Sequence, residues 1–247
     1  MKDSTKQTNI EEKKAAALSA VNLVEDGMII GLGTGSTVAY TIEEIGNRLN
    51  SGDLCDVQGI PTSYQSELLA IDAGIPLTSL AESYEVHLAI DGVDQINRDF
   101  IAIKGGGGAH TREKIVSISS SRFIIIADES KVVETLNHPI PIEVLPFAKD
   151  VVMDIISQMS GDFTLRMGIK KDGPIITDNG NFIIDADFGT MDNIMGISMI
   201  LSTIPGVVEH GIFNIIHELH IGKKNGKVEI LTNDFQLDES MLDMDFE

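Results

Sequence analysis

The chain has 247 residues, 43% of them apolar, and carries 38 acidic against 18 basic side chains for a formal charge of −20. That length supports a substantial core without disulfides or metals, and the charge argues against a nucleic-acid partner, whose phosphates would be repelled over much of the surface. No apolar run approaches the ~20 residues of a membrane-spanning helix. With a lone Cys55 and no apolar stretch in the first seven residues, the expected compartment is the cytoplasm.

Residues 10–25 place Ala16, Ala17, Ala20, Val21 and Val24 at helical spacing, and Asp26-Gly27 supplies the stop. Residues 28–32 form a short apolar run suited to a buried strand. Gly33-Thr34-Gly35-Ser36-Thr37 follows, ahead of a helix expected over 38–49. Strand, glycine loop and helix make a phosphate-binding arrangement. The loop matches neither the dinucleotide fingerprint nor the nucleotide P-loop: Ser36 stands where the third glycine of the first is needed, and no Gly-Lys-Ser/Thr follows. Thr34, Ser36 and Thr37 add hydroxyl donors, although a Ser or Thr before a helix also serves as an N-cap.

Strands are expected over 57–60, 75–80 and 86–90, with a helix over 64–73 ended by Gly74. This alternation is the signature of an α/β sheet, which binds ligands beyond the carboxyl ends of its strands. Asp91-Gly92-Val93-Asp94 stands at such an end. The two aspartates could simply form a turn. After a hairpin-like excursion through Asn97-Arg98-Asp99, the chain reads Lys104, then four glycines (Gly105, Gly106, Gly107 and Gly108), then a helical segment over 111–120 that carries Glu113 in its first turn. Four glycines cost backbone entropy and add no packing, but they let bare N–H groups approach an anion. A flexible surface loop is the plain alternative. Residues 121–127 read as another core strand, and Lys131 lies just past its end, where it could close a phosphate site from the opposite side.

Composition changes after residue 132. Residues 138–146 hold Pro139, Pro141 and Pro146 and read as a linker into an edge strand. A helix over 147–159, strands over 163–169, 175–177 and 182–187, and a helix over 191–204 complete a small α+β unit, with an Asn-Gly turn at 179–180. The expected division is 1–132 plus 207–233 for an α/β catalytic domain, 133–206 for the small domain, and 234–247 for an acidic tail. His217 and His220 would point to opposite faces of an extended segment and do not make a shared metal site.

The inventory beyond the strand ends is a glycine–hydroxyl loop, two aspartates, a lysine with four glycines, a glutamate and a second lysine. It suits proton transfer next to the carbonyl of a small phosphorylated substrate, with a carboxylate as base and lysine and N–H groups stabilising an enediolate oxygen. Six stretches, namely residues 31–37, 91–96, 104–114, 127–131, 177–181 and 205–208, resemble in order the motif series of the type A ribose-5-phosphate isomerases.

That resemblance implies a Rossmann-like α/β domain with a smaller α+β, ferredoxin-like lid domain, usually in a homodimer or homotetramer. It implies a cofactor-independent and metal-independent interconversion of ribose 5-phosphate and ribulose 5-phosphate in the non-oxidative pentose phosphate pathway. By motif position Glu113 is the base, and Asp91, Asp94 and Lys104 handle ring opening, hydroxyl protons and the oxyanion. Thr34, Gly35, Ser36, Thr37, Gly92, Val93, Gly105, Gly106, Gly107 and Lys131 join them in binding the sugar phosphate, with Lys13 or Lys14 near the phosphate. His110 lies where some members carry an apolar residue. Two other readings stand beside this one: an acyl-CoA transferase-like enzyme, for which no adenine-nucleotide pocket is evident, and a non-catalytic sugar-phosphate sensor, for which no basic DNA-binding segment is evident.

Overall fold

Period-two alternation in the strands decides where the layers lie. The structure, a computed structural model that describes residues 2–83, 85–159 and 161–233, opens with helix α1 (Lys2–Val21). It continues through β1 (Ile29–Leu32), α2 (Val38–Ser51), β2 (Gln58–Pro61), α3 (Tyr64–Asp72), β3 (Leu88–Asp91), β4 (Gln95–Ile96), β5 (Ala102–Ile103), α4 (His110–Ile118) and β6 (Phe123–Asp128). In β1, β3 and β6, Ile30, Leu32, Leu88, Ile90, Ile124 and Ile126 face one way and pack with Ala16, Ala20, Ile42, Ile45 and Ala70 of the three helices. Ala89, Phe123, Ile125 and Ala127 face the other way, against Val116 of α4 and Phe213. Burial of each large aliphatic side chain contributes about 1.5–3 kcal/mol, so both faces of this sheet are core.

The remaining elements are β7 (Ile140–Val144), α5 (Lys149–Gln158), β8 (Asp162–Leu165), β9 (Phe182–Asp187), α6 (Ile194–Thr203), β10 (Val207–His210), β11 (Ile212–Phe213), β12 (Glu218–Gly222) and β13 (Val228–Thr232). The six-stranded sheet runs β13-β12-β6-β3-β1-β2, parallel except for β13. The four-stranded sheet runs β10-β7-β9-β8 and is antiparallel throughout. With α5 and α6 in its two crossovers it has the βαββαβ, ferredoxin-like order. A third small sheet, β11-β5-β4, joins the two.

Several sequence expectations need correction. Helix α1 starts eight residues earlier than residue 10 and ends at Val21, so Gly27 (φ 77) closes a later turn in which its N–H donates to the Cys55 carbonyl. Residues 75–80 form no strand: Leu77 makes one bridge to Gly59, and the extended segment only flanks β2. Residues 175–177 are likewise not a strand. β7 is an inner strand, not an edge strand, despite its proline. The Pro141 carbonyl accepts from Gly211 N–H beyond the last ladder pair with β10, so the missing N–H interrupts no ladder bond. β10 pairs with β7, so residues 207–210 belong to the four-stranded sheet and the chain returns at Ile212. The acidic tail expected at 234–247 lies outside the described residues.

Candidate active site

The end of β1 meets the end of β3 closely enough that a side chain at position 33 would not fit. A Cβ on Gly33 would lie 2.2 Å from the Asp91 carboxyl carbon and 2.7 Å from its Cα. The space left by glycine holds the Asp91 carboxylate, whose Oδ1 accepts from Thr34 N–H (3.1 Å) and Gly92 N–H (2.7 Å). Thr34 Oγ1 is 2.7 Å from Ser63 Oγ, to which it donates, and 2.9 Å from Thr62 Oγ1. Thr37 makes no side-chain capping bond to α2, so its hydroxyl is not consumed as an N-cap.

Lys104 directly follows β5, and its ammonium reaches back beneath the site. Nζ lies 3.0 Å from Asp91 Oδ2 and 3.2 Å from Glu113 Oε2, and it donates to the Gly92 carbonyl at 2.5 Å. All three side chains are almost wholly buried. Burial alone would lower the lysine's pKa, but the Asp91 and Glu113 charges outweigh it and hold the ammonium protonated. Burial pushes Asp91 up, against the pull of Lys104. Burial and then the Asp91 charge push Glu113 up to about 8. Two buried carboxyls share one cation; Asp91 Oδ1 accepts two backbone N–H bonds while Glu113 Oε2 accepts none among the described residues, so Glu113 is the less stabilised as a carboxylate. Among the described residues no hydrogen bond satisfies Glu113 Oε2; its neighbour is the Lys104 ammonium.

The four glycines form a turn in which Gly108 N–H donates to the Gly105 carbonyl at 2.9 Å. Gly105 has φ 106, a conformation L side chains rarely adopt. Gly106 N–H donates to Asp94 Oδ2 at 2.7 Å. The four-stranded sheet holds this stretch at two points. Arg166 donates to the Gly105 and Gly106 carbonyls, at 2.8 and 3.2 Å, while paired with Asp185. Glu143 of β7, fully buried, accepts from Thr111 in the first turn of α4, from Thr177 Oγ1 at 2.7 Å, from Asn181 Nδ2 at 2.8 Å and from Asn179 Nδ2 at 3.1 Å. Burial raises the Glu143 pKa, but these donors outweigh it and the net shift is downward.

Sequence reasoning missed both Glu143 and Arg166. A charged residue between Ile142 and Val144 in an apolar run is the signal that marks Glu143; nothing local marks Arg166. The 177–181 stretch, noted as a motif without a role, is the other half of the Glu143 network.

A cavity of about 140 Å³ opens above these groups. Thr34, Gly35, Ser36, Thr37, Gly92, Val93, Asp94, Lys104, Gly105, Gly106, Gly107, Glu113 and Lys131 line it, together with Lys13. Asp91 does not reach the wall; it lies behind Lys104. Lys13 Nζ donates to Ser36 Oγ at 3.1 Å, whereas Lys14 turns away over the Tyr40 ring. His217 and His220 lie elsewhere and serve separate partners: His217 Nδ1 accepts from Phe123 N–H, and His220 Nε2 is 3.1 Å from Glu218 Oε2.

A parallel α/β sheet with a buried carboxyl–ammonium–carboxyl cluster under a glycine-lined, cation-rimmed cavity defines an acid–base enzyme site for a small anion. Residues 58–226 match the family model described as ribose 5-phosphate isomerase A (phosphoriboisomerase A). The chain is 54% identical over 232 residues to the ribose-5-phosphate isomerase A of Methanosarcina acetivorans, covering 94% of this chain and 99% of that one. It is 48% identical to that of Pyrococcus abyssi, over 88% and 97% of the two chains. Among solved structures it is similar to a D-ribose-5-phosphate isomerase in complex with phospho-erythronic acid (TM-score 0.86, 45% identity, 90% and 97% covered). It is similar also to ribose 5-phosphate isomerase A of Methanocaldococcus jannaschii (TM-score 0.85, 46% identity, 90% and 98% covered). This chain belongs to the ribose 5-phosphate isomerase A family.

Proposed function

We propose that the protein interconverts ribose 5-phosphate and ribulose 5-phosphate through an enediolate, with Glu113 as the proton shuttle. The observation that carries this reading is the Glu113 carboxyl itself, which is buried, lines the cavity, lies beside a protonated lysine and has a pKa raised to about 8. A general base works best with a pKa near the operating pH. In the forward direction Glu113 takes the proton from carbon 2 of the open-chain aldose. The electron pair forms the enediolate, a proton passes from the carbon 2 hydroxyl to the carbon 1 oxygen, and Glu113 returns its proton to carbon 1.

Lys104 and the glycine N–H groups stabilise the oxygen that turns negative. Asp94, on the cavity wall, exchanges hydroxyl protons and assists ring opening. Asp91 acts from behind, holding the Lys104 ammonium charged and aimed. Thr34, Gly35, Ser36 and Thr37, at the N-terminus of α2, bind the sugar phosphate with Lys13 and Lys131. Cytoplasmic residence and assembly into a homodimer or homotetramer belong to the same proposal. The exposed Phe147 and Val151, one helical turn apart, support the assembly; among the described residues no helix is long and apolar enough to cross a membrane.

The test is to incubate chelator-treated protein with ribose 5-phosphate and follow ribulose 5-phosphate. Product from wild type and at least ~10²-fold slower product formation from Glu113→Gln, with binding of the sugar phosphate retained in both, is the expected result. Binding without turnover in wild type would leave a sugar-phosphate sensor instead.

A further inference from the structure

We propose that Arg166 is a positioning residue for this reaction, one that orients the glycine turn through two peptide planes. The proposal rests on the isomerase reading for its kinetic consequence and on hydrogen-bond geometry for its mechanism. Arg166 follows β8 in the four-stranded sheet, where its own N–H donates to the Ile183 carbonyl at 2.8 Å. Its Nε donates to Asp185 Oδ2 at 2.8 Å, and Nη2 donates to the other carboxylate oxygen. A guanidinium held at two points by a carboxylate has no rotational freedom left. The remaining nitrogen, Nη1, therefore points in one direction, at the Gly105 and Gly106 carbonyls.

A trans peptide is planar, with its carbonyl and N–H on opposite sides. Holding the Gly105 oxygen thus turns the Gly106 N–H away from Arg166 and onto Asp94 Oδ2. Holding the Gly106 oxygen turns the Gly107 N–H the same way. Gly107 lines the cavity, and its N–H has no acceptor among the described residues. It is left for the substrate. Four consecutive glycines can flip these planes at little steric cost, so the turn does not keep its donors aimed by itself. The Arg166–Asp185 pair supplies the constraint from outside the loop.

The variants to compare are Arg166→Met and the double variant Arg166→Met/Asp185→Asn, which leaves no unpaired carboxylate behind. If the proposal holds, both lower kcat by about 10²-fold, the cost typical of a small misplacement of reacting groups, while KM changes far less. In glycine-labelled protein the Gly106 and Gly107 amide signals shift and exchange faster, and the double variant melts close to wild type. Unchanged kcat in the folded double variant would overturn the proposal, as would unaltered Gly106 and Gly107 amides. So would a kcat loss that merely follows the melting temperature. If wild type itself fails to isomerise ribose 5-phosphate, the isomerase reading falls, and the amide measurement still decides whether Arg166 orients the turn.

Discussion

Lys104 Nζ stands 3.2 Å from Glu113 Oε2 with both side chains buried, so the proposed base and the proposed electrophile each shift the other's pKa, behind burial and the Asp91 charge. Because the folded pKa of Glu113 is raised to about 8, kcat/KM is expected to climb with pH and level off above about 8. Glu113→Gln should remove that rise and cost ~10²–10⁴-fold in kcat, the range for general acid–base catalysis. Stability moves the other way. A carboxyl with a raised folded pKa contributes stability that is fully present below its unfolded value of 4.5 and is lost as pH rises through about 8. Urea melts of wild type and Glu113→Gln over that window should show wild type declining and the variant flatter; parallel curves would place the raised pKa elsewhere.

Lys104→Ala should reduce transition-state stabilisation by on the order of 2.7–4 kcal/mol if the ammonium faces the developing oxyanion. Removing it also strips the cation from Asp91 and Glu113, and both carboxyls should rise further, shifting the pH profile upward. Steady-state kinetics across pH checks both effects. A loss seen only in KM would make Lys104 a uniform binding group.

Glu143→Gln keeps the shape of the side chain but turns an NH₂ toward groups that donate. Leaving buried donors unmatched costs about 1–3 kcal/mol, and Thr111, two residues before Glu113, loses its anchor. The expected outcome is a lower urea midpoint together with reduced kcat. Since the folded pKa of Glu143 is depressed, its contribution is present above 4.5 and vanishes as pH falls through the folded value. Wild type and variant should therefore converge in acid. A stability difference independent of pH would contradict the charge assigned to Glu143.

Gly33→Ala places a methyl carbon 2.2 Å from the Asp91 carboxyl carbon and 2.7 Å from backbone. Overpacking of this kind typically costs 1–3 kcal/mol. Here the displaced group is the one that holds Lys104, so turnover should fall more than stability does. Thermal melts beside initial rates would separate the two, and a fully active Gly33→Ala would mean that Asp91 can move without consequence.

β1, β3 and β6 were legible because each is largely an apolar run, and α2 and α3 because a glycine loop or an N-cap serine precedes them; β12, interrupted by Glu218 and His220, carries no such signal. The site was legible for a related reason: Lys104, the glycine run and Glu113 lie within ten residues, and the strand-end rule brings Asp91, Thr34 and Lys131 to the same edge. Less was visible where the signal is apolarity alone. Residues 75–80 and 175–177 have strand composition, but Pro76 can donate no ladder bond, and the 175–177 run leads straight into the Thr177–Asn181 turn. The start of α1 was hidden because Lys2 to Asn9 carry no apolar period. Arg166 was invisible as a site residue because its glycine partners are 61 and 60 positions distant; Glu143 was marked only by its charge within an apolar run, while its partners, the nearest 32 positions away, were not.

The chain crosses from the four-stranded sheet to the small joining sheet at Gly211, whose carbonyl accepts from Lys104 N–H at 2.8 Å and whose missing Cβ leaves room for the Lys104 backbone. Together with the bonds from Glu143 to Thr111 of α4 and from Arg166 to the glycine turn, this makes the segment between residues 133 and 211 an unsuitable unit for recombination. A homologous insert grafted there would have to arrive with its own glycine, glutamate and arginine in register, or the recipient would keep every residue of its acid–base cluster and lose their alignment. Inheritance of the chemistry is thus tied to co-inheritance of two sheets that share no strand.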